Sequence, residues 1–445
     1  MRLIAFGLQP RAARFASALC CFALAACEGG LPGSVVTHGP GGSNGSDRFP
    51  VLLYDSQCGA DCDLPGDADL RVVSVDEAPL PATGDTVLDP NFGTRIRRLS
   101  APSQIAGGTR LRHVYAKSQP FNADNSLALL WDNTGQAWLL DTETAQLQQS
   151  VPARNSRAEY YWHPRDPNLL YVLDTVPGAG GPRALFRYRV DTDSRTLLRD
   201  FSEFTQASTR GEGNLDAAGE VLVLLGVHAD GTRELIRYEL GPDRVTARRT
   251  VSLAASADWV SVSPSGRYAV TLGDTTRVYD AALEPVHTFP RGTFGHADLC
   301  TRGDGRDMLL IDGADLSGAD ARPLFGAVLP NGPLEVFSSI SWSVTPHVSC
   351  RNIDRPGWAL ISVMGVADTR YPVHSNEVFW LKLDGSGSVR RVASHRSDGD
   401  PDAYFSESHA VASRDATRVV FASDWHGQTG PSTFMATAPD GELPR

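Results

Sequence analysis

Lysine is nearly absent from this chain of 445 residues: of its 41 basic residues only Lys117 and Lys382 are lysines. Acidic residues outnumber basic ones and the formal net charge is -11, so a partner with a phosphate backbone is excluded as the main ligand. From about Gly93 onward no long segment repeats its apolar residues with a helical period, which excludes a helical bundle. The sequence also has no phosphate-cradling glycine loop, no GxSxG elbow, no HExxH and no acidic run with the spacing of a calcium loop. Several common enzyme classes lose their support on those absences.

What is present begins with an export leader. Residues 1–26 carry Arg2, Arg11 and Arg14, no acid, and an apolar run from Phe15 to Ala26 that is too short for a stable spanning helix. Small residues Leu24, Ala25 and Ala26 lead into Cys27, a pattern that resembles the lipobox of bacterial lipoproteins. Cys27 is therefore the expected lipidation site, and buried acyl methylenes then form the membrane anchor. Loss of the leader removes three arginines and no acid, so the mature charge becomes about -14. Residues 27–48 are rich in Gly, Pro and Ser and read as a flexible tether, followed by an N-terminal extension over 49–92. With Cys20 and Cys21 lost and Cys27 acylated, Cys58, Cys62, Cys300 and Cys350 remain, an even set that in an oxidising compartment forms two disulfides. Cys58 and Cys62 close a small loop in this scheme. A CxxxC zinc site is the alternative for that pair.

Over 93–445 the pattern is short β-branched and aromatic runs between turns. One turn recurs seven times: Asn122 to Ser126, Pro164 to Asn168, Leu215 to Gly219, Ser263 to Arg267, Arg302 to Arg306, Asp354 to Gly357 and Ser413 to Thr417. Copies lie roughly 40 to 60 residues apart, the period of four-stranded propeller blades. An apolar strand follows each turn, such as Leu127 to Trp131 and Val419 to Ala422. The last copy has room for only three strands, whereas Thr94 to Ser100 is an orphan strand ahead of the first. The expected fold is thus all-β: a seven-bladed β-propeller closed by an N-terminal strand in its last blade, which removes the open sheet edge.

Asp89 to Leu99, Phe121 to Asp124 and Ser263 to Gly266 resemble the repeats of WD40-like propellers of the TolB and oligogalacturonate lyase type. The resemblance runs from Leu88 to Ala438 and implies the fold. Oligogalacturonate lyases use a histidine-rich metal site in the propeller channel, and the resemblance implies β-elimination from a uronate as an activity.

In a propeller the first strand of each blade lines the channel. Eight residues before Asp304, Arg355 and Asp415 stand His296, His347 and Glu407, and His409 follows two residues on, on the same side of a strand. Three imidazoles with a carboxylate suit manganese or zinc, because neutral imidazole binds borderline divalent cations. Hydrogen-bonded packing at strand starts and metal-free ligand binding stay open as alternatives for the same residues. His113 and Tyr115, with Arg112 and Lys117, open the first inner strand and are candidates for a base, an acid or carboxylate recognition. Trp342, in a loop before His347, is a candidate sugar platform. Two functions follow: an envelope-anchored module that binds a glycan or an envelope protein, or a metal-dependent polysaccharide lyase. The lipid places either one at the cell envelope, on the periplasmic or surface-exposed side.

Overall fold

The computed structural model describes residues 72, 73, 75, 78–252, 258–273, 275–290, 295–312, 323–338, 346–364, 373–397 and 404–437. The expected leader, Cys27 and the tether, Cys58, Cys62 and Trp342 lie outside the described residues.

Four of the recurring turns are capped by a polar side chain at or next to their first residue. The side chains of Asn122, Asp216, Ser263 and Ser413 each accept a hydrogen bond from the backbone N–H five residues on, at Leu127, Val221, Tyr268 and Arg418. Short polar side chains that bond nearby backbone stabilise a turn against a continued strand. At Ser263 the turn closes through Gly266, whose φ of 75° favours glycine. The strand after each turn falls where the apolar pattern puts it, as at Leu127–Asp132, Leu169–Asp174, Val221–Val227 and Val419–Ser423.

Among the described residues these strands make five antiparallel four-stranded sheets and one nine-stranded sheet. The nine-stranded sheet is two units joined by one parallel bridge, Ser432 to Leu111. One unit is the first blade, Leu111–Arg112, Leu127–Asp132, Ala137–Asp141 and Leu147–Ser150. In the other, Val411–Ala412, Val419–Ser423 and Ser432–Thr437 are completed by Arg95–Arg98 from the opposite end of the chain. The orphan N-terminal strand therefore closes the last blade. Thr86–Leu88 adds a further outer strand there, so part of the N-terminal extension belongs to the sheet.

Each blade interior is apolar on both faces because alternate residues of a strand point to opposite sides. Leu222 and Leu224 pack with Tyr161 and Leu173 of the preceding blade, while Val221, Val223 and Leu225 pack with Val260 and Val262 of the next. Seven such clusters join neighbouring blades, and one of them, with Leu111, Leu130, Val411 and Val420, joins the last to the first. Hydrophobic burial thus runs around a closed ring. Asp89 fastens the strap ahead of it, accepting from Asn91 and Phe92 N–H and pairing with the buried Arg396 at 3.2 Å.

Cys300 and Cys350 form the expected disulfide, joining the inner strand Ala297–Thr301 to the residue after His347–Ser349. Fifty residues separate the two, and loop-closure entropy alone puts the contribution at about 4 kcal/mol. Reduction is expected to lower the thermal midpoint by about 5 °C. An unchanged midpoint with both thiols titrated would contradict that.

Candidate functional site

Two neighbouring inner strands and a loop supply the site. His296 stands immediately before Ala297–Thr301, and His347 opens His347–Ser349. Their rings stack at 4.4 Å between centroids. Glu407 and His409 are not on a strand, contrary to the sequence expectation: they lie between the 3-10 turn Tyr404–Ser406 and Val411–Ala412. The reason is His409 itself, whose φ of 40° takes the chain out of the extended region, a conformation in which His is among the better-tolerated side chains. That turn still brings its ring to 4.1 Å from the ring of His347.

Glu407 Oε2 lies 2.8 Å from His347 Nε2 and 3.2 Å from His409 Nε2. One ligand atom from each of His347, Glu407 and His409 falls within 4.8 Å of the others. His296 is outside that group and backs it by stacking on His347. Tyr115 completes the cluster, its ring 4.8, 5.6 and 6.2 Å from those of His409, His347 and His296.

Burial controls the charge of these groups. Desolvation, then the Arg112 and Lys117 charges, push His347 down to about 3. His409 is held well below the usual imidazole range by burial and then by His347. Burial raises the Glu407 carboxyl in spite of His296 and Arg112, and holds the Tyr115 phenol well above its usual range. At neutral pH the imidazoles are neutral, the form that offers a lone pair to a cation.

Arg112 organises the loop. Its guanidinium donates to the carbonyls of His113 at 2.9 Å, Phe405 at 2.6 Å and Glu407 at 3.2 Å, and also to His409 Nδ1. His113, a sequence candidate for catalysis, is fully buried: its Nε2 donates to the His409 carbonyl at 2.8 Å, and burial followed by Arg112 lowers its pKa to about 3. Its visible part is to position the His409 backbone.

The donor set fits a divalent cation. Neither His409 Nε2, 3.2 Å from Glu407 Oε2, nor His347 Nδ1 makes a hydrogen bond, and buried imidazole nitrogens left open beside a carboxylate suit a cation. One adjustment is required. While Arg112 donates to Nδ1, the neutral His409 ring carries its proton on Nε2, so a cation at Nε2 needs Arg112 to withdraw.

A cavity of about 530 Å³ reaches the cluster through Arg112 and His113, which line it together with Arg110, Arg157, Arg210, Tyr160 and Phe405. Phe405 is 43 % exposed, with the Arg110 guanidinium 3.5 Å over its ring. Glu159 shapes this wall: the buried carboxylate accepts from Tyr161 Oη (2.5 Å), Thr209 N (3.0 Å), Thr209 Oγ1 (2.8 Å) and Gly211 N (2.8 Å). Nothing in the sequence pattern singles out Glu159, Arg210 or Phe405, because each matters through contacts between distant residues. Glu159→Gln puts an amide donor against these donors and is expected to loosen the loop, speeding tryptic cleavage after the exposed Arg210 about tenfold. Parent-like cleavage would contradict that role.

No protein-family model matches the chain, and no curated protein matches it. Solved structures do. The oligogalacturonate lyase of Vibrio parahaemolyticus aligns with 79 % of this chain and 96 % of its own, at a TM-score of 0.56 and 12 % identity. The chain is a β-propeller resembling the oligogalacturonate lyase type. The Cps50 (Swd1) β-propeller domain of Myceliophteria thermophila aligns with 74 % of this chain and 98 % of its own, at a TM-score of 0.46 and 12 % identity.

The remaining sequence candidates are placed simply. His163 caps its own turn, accepting from Arg165 and Asp166 N–H. Trp259, Trp380 and Trp425 are core residues.

Proposed function

We propose that the protein is a metal-dependent enzyme acting on a carboxylated polysaccharide, with His347, Glu407 and His409 as the cation ligands and His296 supporting them. The observation that carries this reading is the convergence of those three side chains with two orphaned imidazole nitrogens, beside a cavity walled by arginines and aromatic rings. The lyase among the structural neighbours supplies the choice of substrate class.

A divalent cation bound here supplies Lewis acidity that polarises a uronate carboxylate and acidifies the adjacent C–H. The chain's own residues do the rest. Arg112 and His113 fix the His409 loop. Arginines and Phe405 in the cavity hold an acidic sugar chain by charge and by ring stacking. The Tyr115 phenol, neutral at all physiological pH, is the proton donor to the departing oxygen. In the elimination a water molecule acting as base takes the proton from the C–H, the electron pair of that C–H bond forms the double bond at the new chain end, and the bond to the departing oxygen breaks as the Tyr115 phenol protonates it.

The experiment is to incubate the manganese-loaded protein with polygalacturonate and measure unsaturated ends. Their appearance, and loss with chelator, is the expected result. Tight binding without new ends would instead make the propeller an envelope binding module for a glycan or protein, and neither binding nor ends would reject both.

We further propose that this site is displayed at the cell envelope on a lipid carried by Cys27, a reading supported by the leader and lipobox pattern. Cys27→Ser is expected to move the protein from the membrane to the soluble fraction and to abolish labelling with palmitate. Membrane retention in that variant would contradict the anchor.

A further inference from the structure

Lys117, one of two lysines in the chain, is buried beside Tyr115, the ring that the histidines also meet. Its ammonium lies 4.8 Å from the centre of the Trp259 ring and 5.6 Å from that of Tyr115, and pairs with Glu212. Beyond that ion pair neither Lys117 Nζ nor Glu212 Oε2 makes a hydrogen bond, although an ammonium has three protons to donate. A buried charge with unused donors is costly, and one exposed ion-pair partner offsets only part of that cost.

The partner is poorly sealed. Lys117 is 2 % exposed, whereas the Glu212 side chain is 26 % exposed. Glu212 follows Gly211, whose φ is 93° and around which a side chain would meet nothing within 4 Å. Asp258 also stands nearby: burial and the Glu212 charge raise its carboxyl, the Lys117 and Arg210 charges lower it, and the Arg210 guanidinium donates to the Asp258 backbone carbonyl at 3.3 Å. Lys117 is thus a desolvated cation between two aromatic faces, covered by a carboxylate with a route to solvent.

We propose that Lys117 is the receptor for a carboxylate of the ligand, and that Glu212 occupies this place when no ligand is bound. The choice of ligand rests on the acidic-polysaccharide reading above. Lys117 and the cation ligands are separate groups around the Tyr115 ring, and a substrate that gives one carboxylate to Lys117 and another to the cation is an oligouronide and not a single uronic acid.

The test is calorimetric titration of the purified full chain, with its manganese content measured in parallel, using trigalacturonate, its methyl ester and monomeric galacturonate. The acid trimer is expected to bind the parent about tenfold or more tighter than either other probe. Lys117→Met should remove that preference while manganese content stays unchanged, and Lys117→Arg should restore most of it. Because Lys117→Met leaves Glu212 unpaired, the double variant Lys117→Met/Glu212→Gln guards against a folding defect and should behave like the single one. Glu212→Gln alone should bind the acid trimer several-fold tighter than the parent.

Equal affinity of parent and double variant for the acid trimer overturns the assignment. So does a manganese-loaded parent that binds no trimer or does not distinguish it from its ester. A parent that lacks metal yet loses the acid preference with Lys117 overturns the metal reading and upholds this one.

Discussion

His347→Ala and His409→Ala are each expected to abolish binding of the proposed divalent cation and to lower the proposed lyase activity by more than about a hundredfold. Outer partners that merely orient a ligand are typically worth ten- to a hundredfold, and these two rings are themselves ligands in the proposed set. The variants separate direct ligands from supporting groups. His296→Ala, which removes only the ring stacked on His347, should reduce metal affinity by about tenfold. Metal analysis of dialysed protein provides the readout. Full metal content in His347→Ala and His409→Ala would rule out this ligand set, whatever the activity.

Arg351→Met is expected to cost about 3–5 kcal/mol of stability, the largest single loss away from the site. Arg351 and Asp298 are both buried, and the guanidinium holds the carboxylate through Nη2 at 2.7 Å and Nε at 3.1 Å. The same Asp298 accepts the Cys350 N–H at 2.7 Å, so it ties the inner strand that follows His296 to the one that begins at His347. Removal of Arg351 leaves that carboxylate buried and charged without its counter-ion. Denaturant unfolding measures the loss. Asp298→Asn/Arg351→Met should recover a large part of it, since the uncompensated charge is gone. A single variant as stable as the parent would show that the pair contributes nothing net.

Much of this architecture is written in local chemistry. The capping Asn122, Asp216, Ser263 and Ser413 mark where one strand ends and the next begins, so strands such as Ala137–Asp141 can be placed from the sequence to within a residue or two. The closing strand Arg95–Arg98 is legible because the last repeat is one strand short. Cys300 and Cys350 are legible as partners once the repeats are aligned, since each lies on or just after an inner strand of consecutive blades.

The site is legible in part, for the same reason. Counting from the turns finds His296, which stands just before a strand, and His347, which opens one, and finds Glu407 and His409 with the wrong local geometry. His409 departs from the extended backbone, and no spacing rule predicts a left-handed residue there. Arg112 is a candidate from its place at the first inner strand, but its partners have no local signal, and Glu159 has none at all. Arg112 reaches Phe405 and His409, nearly three hundred residues away, and Glu159 reaches Thr209 and Gly211 in the next blade. The Glu159 contacts arise when neighbouring blades pack, and those of Arg112 only when the ring closes and brings the first and last blades together.

The most direct test of the metal site is anomalous diffraction at the manganese edge from crystals of the metal-loaded protein. The account predicts a peak within coordination distance of His347, Glu407 and His409, with Arg112 withdrawn from His409 Nδ1. Crystals with manganese in the soak and no peak at those three side chains, or a peak bound elsewhere in the propeller, would contradict it.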